Sequence, residues 1–311
     1  MLRTRIAGAL AAGLTLSLAL TGCGAGSDPL SSDTGGGSSA SSSTVTIGSA
    51  NFAESELLAE IYAQALEAKN VQVKRQFNIG ARELYLKALQ DGSIDLLPEY
   101  NGALLSALAK GGAPEGVSSP GDVLAALKKV LPAGTEVLDQ SAAEDKDTLT
   151  VTQATATKYN LQTIADLQPV ASKLSIGAGP EWQERYQGLK GLKALYDVSF
   201  GKFKPLDAGG PLTVQALLKG QIDVGNVFST DSAIATNKLV VLDDPKNLFL
   251  AENVLPLIRS SASNPTVSGA LNAVSAKLTT ENLTTYLAKV QVDKQDTAAV
   301  AKAFLADNGL A

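Results

Sequence analysis

The 311-residue chain has no histidine and only one cysteine. Without histidine, a Ser-His-Asp or Cys-His hydrolytic centre is excluded, and so is a His-ligated zinc site. A single cysteine cannot close an internal disulfide or build a cysteine-rich metal centre. Positive charge is in deficit: 26 Lys and Arg face 31 Asp and Glu, for a formal charge of −5. That balance argues against a nucleic-acid partner, which calls for a basic surface. What is present is an ample apolar fraction, 45% of residues, on a chain long enough for a substantial core and one to three domains.

The N-terminus reads as an export signal. Arg3 and Arg5 precede an apolar run from Ile6 to Leu20 that is too short for a comfortable membrane span. The run ends in Leu20-Thr-Gly-Cys23, which resembles a bacterial lipobox, where the cysteine becomes the lipidated first residue of the mature protein. An ordinary secretory signal with a chance cysteine is the alternative, but the chain's only cysteine falls where a lipobox needs it. Residues 1–22 are therefore expected to be removed and Cys23 to carry a membrane anchor. From Gly24 to Ser43, 13 of 20 residues are Gly or Ser, too few apolar groups to fold. This tether of residues 23–44 would reach roughly 25 Å.

The remaining body contains one unit twice. Leu84-Tyr-Leu-Lys-Ala-Leu-Gln-Asp-Gly-Ser-Ile-Asp-Leu-Leu-Pro-Glu-Tyr100 aligns without a gap with Leu212-Thr-Val-Gln-Ala-Leu-Leu-Lys-Gly-Gln-Ile-Asp-Val-Gly-Asn-Val-Phe228. Upstream, Val45-Thr-Ile-Gly48 matches Leu174-Ser-Ile-Gly177. The β-rich runs 44–47 and 173–176 each stop at a glycine, as strands entering a tight turn do. Residues 54–68 have helical apolar spacing, 83–90 form a second helix closed by Gly92, and 94–97 a strand. This order predicts parallel α/β lobes. Ligands in such lobes gather beyond the carboxyl ends of the strands. Tyr100 and Phe228, each just past an Ile-Asp strand, would meet in one cleft if the lobes face each other; burial as core residues is the competing fate.

Several ordered motifs resemble the substrate-binding proteins of glycine betaine/carnitine/choline ABC importers, including actinobacterial lipoproteins of that kind. They are Thr46-Ile-Gly-Ser-Ala-Asn-Phe-Ala-Glu-Ser, Gly80-Ala-Arg-Glu-Leu-Tyr and Gly92-Ser-Ile-Asp-Leu-Leu-Pro-Glu-Tyr-Asn-Gly, then Ala178-Gly-Pro-Glu-Trp-Gln-Glu-Arg185 and Gly220-Gln-Ile-Asp-Val-Gly-Asn-Val-Phe-Ser-Thr-Asp231. The resemblance implies a two-lobed type II periplasmic-binding-protein fold, α/β in class, with a ligand cleft between the lobes. It places lobe crossings near Leu149 and Leu248, giving lobe one as 45–148 plus 249–311 and lobe two as 149–248. Helices over 268–278, 281–290 and 296–305 would pack on lobe one.

The family holds a quaternary ammonium in a box of tyrosines, at about 0.5–2 kcal/mol per ring. Carried over by motif, the box falls at Tyr100, Asp147, Phe228 and Glu252, so only Tyr100 keeps the tyrosine. Arg185 matches the family's anion-binding arginine, while Ala50 and Ala103 stand where many members have a polar side chain. Ser49 and Asn51 would cap the first helix and touch ligand. Phe52, Asn101, Ser229 and Asn253 lie in the same motifs and are candidate contacts. Trp182 serves either stacking or the hinge, and Arg185 either ligand or an interlobe ion pair.

Asp147 and Glu252 leave three alternatives. They pair with an amine, guanidinium or ammonium ligand. They accept hydroxyls from a polyhydroxylated or phenolic ligand that stacks on Tyr100, Phe228 or Trp182. Or they face solvent. The resemblance implies a monomeric extracytoplasmic lipoprotein that delivers a small solute to an ABC permease and its ATPase, with a ligand sensor for a membrane receptor as the alternative. No enzyme, cofactor or metal is expected: Gly177-Ala-Gly-Pro180 lacks the Lys-Ser/Thr of a phosphate-binding loop.

Overall fold

The computed structural model describes residues 44–109 and 112–311. The expected export signal, Cys23 and almost all of the tether lie outside the described residues.

The first half opens with strand β1 (Val45–Gly48), helix α1 (Ala53–Glu67), β2 (Val73–Gln76), α2 (Arg82–Asp91) and β3 (Leu96–Tyr100). Helices α3 (Asn101–Leu108) and α4 (Pro120–Val130) lead to β4 (Thr135–Val137). The second half repeats the plan. After β5 (Asp147–Val151) and α5 (Gln153–Tyr159) come β6 (Ser175–Ala178), α6 (Gly191–Tyr196), β7 (Lys202–Pro205), α7 (Pro211–Leu218), β8 (Val224–Phe228), α8 (Ala233–Thr236) and β9 (Val240–Val241). The chain then returns as β10 (Val254–Arg259) and ends in α9 (Pro265–Lys277), α10 (Thr280–Gln291) and α11 (Thr297–Asp307).

Two five-stranded sheets result, ordered β2-β1-β3-β10-β4 and β7-β6-β8-β5-β9. In each, three strands run parallel as the alternation predicts. The fourth strand is antiparallel, because β10 and β5 arrive straight from the other lobe rather than through a helical crossover. Helix α1 buries Leu57, Leu58, Ile61 and Leu66 in the core of the first lobe, where Val274 of α9 and Phe304 of α11 join them. A second core gathers Leu149, Ile176, Leu192 and Val224 beneath the other sheet.

The two lobe crossings run side by side. The Asp145 N–H donates to the Glu252 carbonyl at 3.1 Å, and the Val254 N–H donates to the Ala143 carbonyl at 3.0 Å. One residue further on, the Ser229 N–H donates to the Lys146 carbonyl at 2.9 Å, so the ladder continues into the second lobe.

The strand expected at 94–97 begins at Leu96, and Tyr100 and Phe228 are the last residues of their strands rather than the first beyond them. The cause is the turn before each strand. Gly92 takes φ 81° and closes α2, and the Ile94 N–H turns back to the Ala88 carbonyl at 3.1 Å. Asp95 then pairs with the neighbouring strand: its carboxylate accepts the Thr46 N–H at 2.9 Å. Asp223 repeats this, accepting the Ser175 N–H at 2.8 Å and its hydroxyl at 2.7 Å. The recurring Ile-Asp is thus a brace between parallel strands. In the second lobe the strand expected at 173–176 starts at Ser175, because Ala171–Lys173 forms a single 3-10 turn.

Asp223→Ala leaves the Ser175 N–H and hydroxyl without their acceptor. It should lower unfolding free energy by about 1–3 kcal/mol, read by urea denaturation, with an unchanged urea slope.

Candidate functional site

The ends of β3 and β8, the start of α1 and the two crossings converge at the seam between the lobes. Phe52 precedes α1 and stands between the two expected rings. Its centroid lies 6.2 Å from that of Tyr100 in a stacked arrangement and 5.0 Å from that of Phe228. Gly209, at φ 63°, lies against Phe228: a Cβ there would sit 2.6 Å from the ring. The three rings, together with Trp182 and Tyr85, line a cavity with about 50 Å³ of free space.

Two guanidiniums reach this cavity, and each is already held. Arg82 Nε and Nη2 donate to the two Glu99 oxygens at 2.8 and 3.0 Å, and the Tyr85 hydroxyl adds a third bond at 2.7 Å. Glu99 is completely buried. Arg185, from the second lobe, donates through Nε and Nη2 to both oxygens of Glu83 on the first, each at 2.9 Å. These bonds hold the half-exposed Glu83 carboxyl below its ordinary range.

Carboxylates are in surplus. Asp147, Glu252, Asp145 and Glu181 all line the cavity. Glu252 is buried, and its carboxylate accepts the Gln187 amide at 2.7 Å. Burial and the nearby Asp147 charge push its carboxyl well above the ordinary range. Asp147 accepts the Asn226 amide at 2.7 Å, and burial raises its carboxyl too. Neither acid forms an ion pair with a described residue.

A second acid pair sits behind Tyr100. The Tyr100 hydroxyl donates to one Glu54 oxygen at 2.7 Å, and the Thr230 hydroxyl, from the other lobe, donates to the second at 2.6 Å. Asp145 lies close by, and burial raises both carboxyls. Each charge disfavours ionisation of the other. Asp145 accepts the Thr230 N–H at 3.0 Å, so the pair ties both lobes to the crossing.

The structure brings Asn51, Phe52, Tyr100, Asp147, Trp182, Arg185, Phe228 and Glu252 to the cavity. Trp182 lines the cavity and stacks on Phe249, beside the return crossing, at 6.1 Å. Ala50 and Ala103 also line the wall. The remaining candidates brace the frame. Asn101 and Asn253 exchange bonds of 2.8 and 3.1 Å between their strands, and Ser229 Oγ accepts the Lys146 N–H at 2.8 Å. Ser49 is buried, accepting the Asn78 N–H at 2.8 Å. The capping role for Ser49 and Asn51 is not found: Phe52 occupies the N-cap of α1, and Ser55 Oγ takes the Ala50 N–H. Arg82, Tyr85 and Asn226 were not among the candidates. Arg82 and Tyr85 lie in a motif quoted above, but nothing local distinguishes a helix-opening arginine from one that pairs with a glutamate 17 residues away.

The model of the family described as the substrate binding domain of ABC-type glycine betaine transport system matches residues 43–307. The chain is 29% identical over 281 residues to the carnitine transport binding protein OpuCC of Listeria monocytogenes, covering 88% of this chain and 89% of that one. It is 27% identical over 262 residues to the ergothioneine transport permease/ergothioneine binding protein EgtU of Helicobacter pylori, covering 83% of this chain and 46% of that one. The crystal structure of a glycine betaine/carnitine/choline ABC transporter superposes with a TM-score of 0.66 at 24% identity, covering 86% of this chain and 99% of that one.

The Arg185–Glu83 pair joins the lobes only when they are together. Glu83→Gln should therefore weaken solute binding by up to about fivefold, as suits a partly exposed ion pair, chiefly through faster dissociation. Stopped-flow kinetics of solute release would read this, with the melting temperature serving as a control for the fold.

Proposed function

The chain belongs to the family of substrate-binding domains of ABC-type glycine betaine transport systems, and on that footing we propose that its cavity takes a small solute bearing a quaternary ammonium. As a member of that family it is an extracytoplasmic solute-binding protein and not an enzyme. It captures a small molecule between two lobes for a permease and ATPase. The lobe bounds expected at 149 and 248 shift slightly, since Asp147 and Thr148 pair in the second sheet and Phe249 joins the second core; the lobes would close about the paired crossings, and a ligand touching both favours the closed state.

The observation that carries the ligand class is the surplus of carboxylate over free cation. Asp147 and Glu252 stand beside Phe52, Tyr100 and Phe228 with no guanidinium of their own, since Arg82 and Arg185 are held by Glu99 and Glu83. An ammonium placed there gains both aromatic faces and negative charge. A ligand carboxylate finds both guanidiniums already engaged. Choline should therefore bind more tightly than glycine betaine.

The pH dependence follows from the raised carboxyls of Asp147 and Glu252. Folding raises these pKa values, so the ligand-free native state holds more protons than the unfolded chain from the ordinary carboxylate range upward. Its stability falls as pH rises through that interval. A bound ammonium favours the charged carboxylates and expels their protons, so choline affinity should rise over the same interval. Calorimetry in two buffers of different ionisation enthalpy should show proton release on binding. Asp147→Asn with Glu252→Gln should abolish the release and weaken choline at least about tenfold, each buried charge contact contributing about 1–2 kcal/mol. Unchanged affinity in the double variant would rule out a cation beside these acids.

A lipid on Cys23 and a monomeric state complete the reading. The Leu20-Thr-Gly-Cys23 run supports the anchor. Cys23→Ser should shift the protein from the membrane pellet to the soluble fraction in cell fractionation.

A further inference from the structure

The duplicated helices α2 and α7 both start at the seam, and the two starts are built differently. Helix α2 brings Arg82 and Glu83, which Glu99 and Arg185 hold. One repeat later, α7 has Gly210 and Pro211, which supply no long polar side chain. Beside them lies a cavity of about 540 Å³, against about 50 Å³ for the solute cavity. Val214, Leu218 and Phe228 of the second lobe form one wall, and Phe52, Leu287 and Val290 of the first form the other. Phe52 and Phe228 are shared with the solute cavity, so the two spaces meet at one pair of rings.

Polar residues are interspersed along this groove, and the acids among them differ in commitment. Asp207 accepts the Leu212 and Thr213 N–H groups at 2.9 and 2.8 Å. Glu54 is bonded to Tyr100 and Thr230. Asp231 accepts the Ala233 N–H through Oδ1 at 2.7 Å and forms no ion pair with a described residue. Lys294, at the rim, donates to the Gln291 carbonyl. Burial, with the Asp207 charge adding to it, raises the Asp231 carboxyl.

We propose that this groove is a second binding site, for a small apolar cation whose hydrocarbon body lies between Val214 and Leu287 and whose ammonium faces Asp231. The volume suits a drug-sized ligand, and apolar walls with a few oriented polar groups are the usual form of such sites. The three acids disfavour an anion. Because the walls come from both lobes, an occupant favours the closed arrangement and strengthens capture of the solute behind the Phe52–Phe228 pair.

The test uses 2-phenylethylammonium and its neutral counterpart 2-phenylethanol, followed by calorimetry and ligand-detected NMR with choline present at saturation. The ammonium should bind alongside choline, one of each per chain, and should tighten choline in return. Asp231→Asn should weaken the ammonium about fivefold and leave the alcohol unaffected. Leu218→Arg, on the exposed rim, should abolish ammonium binding by placing a like charge there, and Val214→Trp should abolish both probes by filling the groove. Choline affinity measured alone should be unchanged in all three variants. Ammonium binding should persist in the Asp147→Asn, Glu252→Gln variant, which separates this site from the solute reading. No ammonium binding at millimolar concentration, displacement of the ammonium by choline, or binding indifferent to both Asp231→Asn and Leu218→Arg would overturn the proposal.

Discussion

A carboxylate removed from water needs a proton, a donor or a cation, and the seam of this protein has more carboxylates than cations to match them. The effective cost of stranding one is several kcal/mol. The structure meets that cost in three ways. Glu99 and Glu83 receive guanidiniums, each through two bonds. Glu54 and Asp145 collect hydroxyl and backbone donors from both lobes. Among the described residues, Asp147 and Glu252 have one side-chain amide each. In the proposed reading this last, incomplete arrangement is the place of the solute, whose positive charge would supply what the protein does not.

The same constraint links capture to closure. Thr230 reaches across to the buried Glu54 and Gln187 to the buried Glu252, while Arg185 reaches the half-exposed Glu83, so these acids draw donors from the opposite lobe. Parting the lobes removes donors and readmits water at the same time. The electrostatics of the seam thus depend on its geometry, and a cation that neutralises Asp147 and Glu252 stabilises the arrangement that encloses it.

Duplication supplied the frame, and divergence supplied the chemistry. The brace formed by Asp95 recurs at Asp223, since both lobes need their parallel strands set at the same height. Around the seam the copies differ. Arg82, Tyr85 and Glu99 form a buried polar cluster in one lobe. Their counterparts one repeat later are Gly210, Thr213 and Val227, which cannot. Aromatic rings remain at both strand ends, as Tyr100 and Phe228, but Phe52 is what joins them. An apolar groove lies where the second lobe lacks the cluster.

Local pattern by itself determined the elements, the doubled architecture and the approximate place of the cleft. Apolar spacing sets α1, and glycine stops end α2 and the turns into the strands, because these are properties of neighbouring residues. The family resemblance, not local pattern, pointed to Tyr100, Asp147, Phe228 and Glu252, and the fold brings these four to one cavity. Tertiary structure alone decided the partners. Arg82 meets Glu99 from 17 residues away and Arg185 meets Glu83 from 102, while Thr230 meets Glu54 across 176. Whether an acid is stranded, protonated or neutralised depends on donors and solvent within a few ångströms, and only the folded chain sets those distances.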